Sequence, residues 1–381
     1  MKQFYLKSSG SVQIGDVLMF SSALFILFKN RMPIEKIDYS FIIFVLFTYI
    51  INSLYFIYYG EGFLRASFYF LYNLIIVIAF RTMSKKQNFT LAVFEVMKCN
   101  LIVQFLVLIL GFGRYMYNGS RYQGTFNDPN QFGFFVLSSV FIMYLISIEQ
   151  EIKIHAIWMI MLGLFVIICS SMGMTLAYLV FLMGVIIVPI FDNQLKKADA
   201  IKAVLFFILI VVIFFYWRNI VYIIEKITNW DRLSYMIERI TQKIGKMEEK
   251  NVYGENLFIR DRLLLRTMKA PYFFIFGCGE GGFQRFITIS HENNEIHSTM
   301  LALCYYYGLI PYYFFLKWIH INLKRIPYRA LCVYTAIILE AFTLANHRQP
   351  YFWILFVLGS MIKKDKKYQK VNGVDGNAIN D

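Results

Sequence analysis

His297 stands where a polar, Asn-rich run gives way to an apolar one, in NNEIHSTMLALCYYYGLIP (residues 293–311). An imidazole, neutral near physiological pH, can take a proton from a hydroxyl. A lone histidine can equally be structural, and His291, six residues earlier, competes for the role. In ENLFIRDRLLLRTMKAP (255–271), Arg260, Arg262 and Arg266 surround one acid, Asp261. Arg262 and Arg266 share a helical face at a spacing where like charges repel, so an anion, a lipid headgroup or plain solvent would face them. Another guanidinium, Arg121, opens RYQGTFNDPNQFG (121–133); its planar, always-charged fork suits phosphate. There Asn127, Asp128, Pro129 and Asn130 form a strong turn signal, and Asp128 or Asn130 can simply cap the helix that follows. FGCGEGGF (276–283) carries Gly277, Gly279 and Gly282 at the spacing of a dinucleotide loop. No βαβ pattern surrounds it and no Lys-Ser/Thr follows, so it reads as a tight, permissive turn. No HExxH, Cys–His set or paired-carboxylate spacing occurs, and no metal is expected.

What must hold these residues is a membrane. Of 381 residues, 58% are hydrophobic and 19% aromatic, above the 45–50% apolar usual for soluble domains. A span needs about 20 mostly apolar residues. Eleven runs qualify, at 11–28, 39–59, 63–80, 89–112, 131–148, 155–171, 173–191, 201–224, 298–319, 329–345 and 350–362. The first has no small-residue cleavage site and reads as a span, not a leader. The expected fold is therefore all-α: a polytopic transmembrane bundle of ten to twelve spans with one large external loop containing short helices.

The net charge of +14 fits the bias of cytoplasmic loops towards Lys and Arg rather than nucleic acid. Lys29, Arg31, Lys36, Arg81, Lys85, Lys86, Lys153, Lys196, Lys197, Lys202, Lys324, Arg325 and Arg329 fall in one alternating set of loops; the short loops opposite hold Arg114, Arg121 and Arg348. The basic set is assigned to the cytoplasm. Lys2 and Lys7 disagree under an eleven-span count. Residues 1–224 then carry the first eight spans, 225–296 an extracytoplasmic loop, 297–362 the last three spans, and 363–381 a disordered cytoplasmic tail. The loop holds eleven basic and ten acidic residues, so it is no generic basic patch. Within it Trp230, Leu233, Ile237, Ile240 and Ile244 form one apolar helical face, either a lid or simple packing. Asp16, Glu95, Lys98 and Glu340 are the clear charges inside spans, and Glu95 can pair with Lys98 one turn on. Four cysteines lie in apolar runs and only Cys278 in a polar one, so no intramolecular disulfide is expected in the loop.

Taken in order, RYQGTFNDPNQFG, the late external loop, IRDRLL, FGCGEGGF and HSTMLALCYYYGLIP resemble the O-antigen ligase/polymerase family, over residues of about 110–315. These are bacterial membrane glycosyltransferases of the C type. The family pattern of His, Asn/Ser/Gln, nine residues, Gly, two residues and Gly/Thr/Tyr is matched by His297, Ser298 and Gly308, with Pro311 departing at the last position. Its Arg-x-x-x-Leu fits Arg260 and Leu264, although the segment up to the Gly-rich turn is shorter here and Arg262 remains an alternative. A family Ser-Arg near the middle hairpin is replaced by CSSMGMT (169–175), so Arg218, Arg121 or Arg266 would supply the missing contact. Gly124, Asn127, Asn130, Gly277, Gly279 and Gly308 are the structural motif positions.

The resemblance implies polymerisation of undecaprenyl-diphosphate-linked repeat units into O-antigen or capsular polysaccharide, outside the cytoplasmic membrane, by inverting transfer. His297 and Arg260 would be catalytic, and Arg121, Arg262, Arg266 and Arg218 would hold the diphosphate. No cofactor is implied; a flippase and a chain-length regulator are the implied protein partners. Alternatives are a ligase acting on lipid A-core, a peptidoglycan glycosyltransferase, which would place an acidic base in its loop, and a lipid-linked oligosaccharide flippase. A transporter more often shows symmetric halves, and no internal repeat occurs here.

Overall fold

The computed structural model describes residues 4, 13–31, 33–60, 62–86, 88–116, 121–191, 267, 269–282, 286 and 295–362. The expected span at 201–224, the Trp230–Ile244 face and the tail at 363–381 lie outside the described residues.

What is described is mostly helical: α1 (Ile14–Lys29), a 3-10 turn (Lys36–Asp38), α2 (Tyr39–Tyr59), α3 (Phe63–Ser84), α4 (Phe89–Ile109), α5 (Pro129–Glu149), α6 (Ala156–Cys169), α7 (Met172–Phe191), the short α8 (Phe273–Phe276), α9 (Thr299–Tyr307), α10 (Leu309–Leu323), α11 (Tyr328–Thr343) and α12 (Pro350–Met361). Four helices among the described residues are long and apolar enough to cross a membrane: Lys36–Tyr59, Phe63–Ser84, Phe89–Ile109 and Pro129–Glu149. α6, α12 and Met172–Ile187 of α7 are apolar but shorter.

Two expectations are corrected. The run at 298–319 is not one continuous helix. It breaks at Gly308, whose φ of 79° ends α9 and starts α10. The all-α reading also misses an antiparallel ribbon, β1 (Arg114–Met116) against β2 (Arg121–Gly124), pairing Tyr115 with Tyr122. Their rings meet edge to face at 5.1 Å, a cross-strand aromatic pair of the kind that stabilises short ribbons.

Apolar composition alone does not fix which helices lie inside. α5 has 89% of its apolar window buried, whereas α4 has 22%. α5 is therefore central, packed by α4, α6 and α12, while α4 turns Val96, Ile102, Val103, Leu106 and Ile109 outward. Exposed stripes of this extent are a liability in water and normal against lipid. α12 also lies inside, and aromatic rings knit it to α2, α3 and α10: Trp353 sits 4.6 Å from Phe41 and 5.7 Å from Phe315, and meets Phe70 edge to face.

Arg81, counted above among cytoplasmic loop charges, is 5% exposed. Its guanidinium makes two bonds to Asp38, at 2.8 and 3.1 Å, and donates also to Ser360 and Asn322. Trp318 Nε1 donates to the same carboxylate at 3.2 Å. Arg81 thus ties α3 to α10, α12 and the start of α2, and the orientation rests on the other cations of its set. Glu95 and Lys98 pair at 2.7 Å, as their spacing suggests.

Candidate functional site

The starts of α1, α5, α9 and α12 and the first turns of α3 open on a cavity of about 580 Å³. In the topology read from the sequence, these ends fall on the side opposite the basic loops. The size suits a small ligand.

His297 lines this cavity and its residue is exposed. Its backbone is gripped on both sides. Ile296 N donates to the Tyr306 hydroxyl at 3.0 Å. Ser298 caps α9, accepting from Leu301 N at 3.3 Å, and its hydroxyl reaches Ala341 O of α11. Thr299 N donates to Leu344 O, and Thr299 Oγ1 accepts from Asn346 N at 2.8 Å. The imidazole itself has no hydrogen-bond partner among the described residues. It is an accessible ring on a fixed backbone, within reach of a substrate hydroxyl in the cavity.

The turn of the first motif reaches the same cavity through Asp128, Asn130 and Gln131. Asp128 is the cap of α5: its Oδ1 accepts from Asn130 N at 2.8 Å and Gln131 N at 3.2 Å, with Pro129 in the first turn. Asn130 Oδ1 accepts from Arg121 Nη2 at 2.8 Å, and Arg121 Nε donates to Cys169 O at 2.9 Å. Arg121 is 3% exposed and is not one of the cavity's lining residues. It joins β2 to the α6–α7 hairpin, the CSSMGMT stretch that lacks an arginine of its own. Gly124, with φ of +56°, sits where a Cβ would meet Phe132 at 3.0 Å.

The Gly-rich turn docks at the break between α9 and α10. Cys278 N and Gly279 N both donate to Tyr306 O, at 3.0 and 2.8 Å. Gly277 has φ of +78°, and a Cβ there would lie 2.7 Å from the Tyr307 carbonyl carbon; a Cβ on Gly308 would lie 2.9 Å from Gly277 N. Glycine faces glycine because two backbones touch.

This docking delivers a residue that sequence reasoning passed over. Glu280 is 1% exposed. Its Oε1 accepts from Arg348 Nε at 2.8 Å and Nη2 at 2.5 Å, and meets His347 Nε2 at 3.1 Å. Its Oε2 accepts from the Tyr307 hydroxyl at 2.9 Å, and its backbone N donates to Asn52 Oδ1 at 2.9 Å. Burial pushes the carboxyl up, but Arg348 and His347 outweigh that and hold it well below the usual carboxylate range. Arg348, entered above only as an orientation marker, lines the cavity with His297 and also binds Glu295. The available signal was the pair His347–Arg348 in a loop of a few residues between two apolar runs: charges there need a partner.

Arg260, Arg262, Arg266 and Arg218 lie outside the described residues. Among the described residues no group of three His, Cys, Asp or Glu side chains could hold a metal ion, and all five cysteines are free. No family model, curated protein or solved structure matches this chain.

Proposed function

We propose that this protein is a bacterial cytoplasmic-membrane glycosyltransferase that polymerises undecaprenyl-diphosphate-linked repeat units at the external face. The observation that carries the reading is the meeting of His297, Asn130 and Arg348, from three distant segments, around one cavity. The order of motifs resembling the O-antigen ligase/polymerase family supplies the substrate class. His297 takes the proton of the acceptor hydroxyl, or orients that hydroxyl. The hydroxyl oxygen bonds to the anomeric carbon as the carbon–oxygen bond to the diphosphate breaks, and the configuration inverts. Guanidinium groups take up the charge that develops on the departing lipid diphosphate; Arg260 is assigned this role, and Arg262, Arg266 and Arg218 assist. The lipid diphosphate carries the activation, so neither nucleotide nor cofactor enters the reaction.

The cavity chemistry suits an acceptor sugar: Tyr69, Tyr72 and Tyr351 line it with rings, and Asn130 and Gln131 with amides. The glycan left by a deletion strain tests the reading. Single repeat units on the final acceptor are expected. Free lipid-linked polymer would identify a ligase instead, and repeat units trapped in the cytoplasm a flippase.

A further inference from the structure

Arg348 is held by two carboxylates of unequal character. Glu280, 1% exposed, binds Nε and Nη2 and is itself fixed by His347, Tyr307 and Asn52. Glu295 is 42% exposed and meets Nη1 alone, at 3.0 and 3.2 Å. Glu280 is the fixed partner of the guanidinium, shared with His347, and Glu295 is a second, more exposed carboxylate held on a different nitrogen. A half-exposed ion pair of this kind is weak and exchangeable. An oxyanion with several oxygens makes stronger charge-assisted bonds to a guanidinium than one mobile carboxylate does. The Tyr69 ring lies 6.0 Å from the guanidinium carbon, which fixes the group from one side. Two other carboxylates line the cavity, and each is committed to a helix start. Asp128 accepts from Asn130 N and Gln131 N, and Asp16 accepts from Gln13 N and the Tyr72 hydroxyl. The partial positive charge of those helix ends offsets them.

We propose that Arg348 is a phosphate-binding residue of the cavity, and that Glu295 is its occupant in the free protein. An incoming phosphate or diphosphate group displaces the Glu295 carboxylate from Nη1, while Glu280 keeps the guanidinium in place. The site opens on the same cavity as His297, where the donor's diphosphate would need to sit; that identity of the ligand rests on the proposed function, and the exchange itself does not.

The test is binding of inorganic pyrophosphate, and separately of undecaprenyl diphosphate, to the purified full-length protein in detergent. Glu295→Gln removes the competing carboxylate and is expected to tighten binding about threefold. Arg348→Lys keeps a charge beside Glu280 but loses the fork, and is expected to weaken binding about tenfold. Unchanged or weaker binding in Glu295→Gln overturns the proposal, whatever Arg348→Lys does to folding. A Glu295 response to pyrophosphate identifies the phosphate group itself as the ligand; a response to the lipid alone identifies a membrane-borne headgroup. A protein that shows the response but makes no polymer keeps this site and loses the functional reading, and one that makes polymer without the response loses the site.

Discussion

The Glu280 carboxylate is almost fully buried, yet three side chains, His347, Arg348 and Tyr307, converge on it, and Asn52 holds its backbone N. Removing one member of such a set leaves the others desolvated and unpaired, which costs about 3–5 kcal/mol. Glu280→Gln is therefore expected to lose about 3 kcal/mol at pH 7, read as a lowered thermal midpoint in detergent. The pH dependence has a definite sign. The folded carboxyl is held below its unfolded value, so its contribution is present above about pH 4.3 and fades as pH falls towards the depressed folded value. The gap between wild type and Glu280→Gln should narrow as the pH is lowered from 5 to about 3; a gap that stays constant would mean that the ion pairs do not hold the turn. His297 and Asn130 were legible in the sequence because each sits in a recognisable local pattern. Glu280 and Arg348 were not, because their partnership spans 68 residues and no local spacing encodes it.

Among the elements, the apolar runs announced the helices, and most boundaries fall within a few residues of those read from hydropathy. The break at Gly308 was hidden: a glycine in an apolar run leaves hydropathy unbroken, and only the approach of Gly277 shows why the chain must turn there. The β ribbon was hidden for a different reason. Strands of three and four residues give no period to count. Gly308→Ala tests the junction. The new Cβ would sit in a left-handed conformation and within 2.9 Å of Gly277 N. A loss of at least about 2 kcal/mol is expected, with activity falling further than stability, because the same junction carries both Glu280 and the segment that holds His297. Stability equal to wild type would show that the two backbones can part without cost.

For the molecule as a whole, the segments that meet at the cavity lie at 16–20, 68–72, 128–131, 295–297 and 344–351. Helix packing brings them together at one end, with α5 and α12 inside and α4 facing outward. The sequence indicated that these ends share a side, through the distribution of Lys and Arg. It could not show that they share a cavity, which depends on which helices are central. The catalytic part of the proposal rests on His297, whose ring is free while its backbone is fixed. The most direct measurement is polymer formation by the purified protein in liposomes supplied with a lipid-diphosphate-linked repeat unit, comparing wild type with His297→Ala at equal, folded levels. Losing a general base costs about 10²–10⁴-fold in rate. A ladder of lengthening glycan from wild type and none from His297→Ala is the expected result; a full ladder from His297→Ala would contradict it.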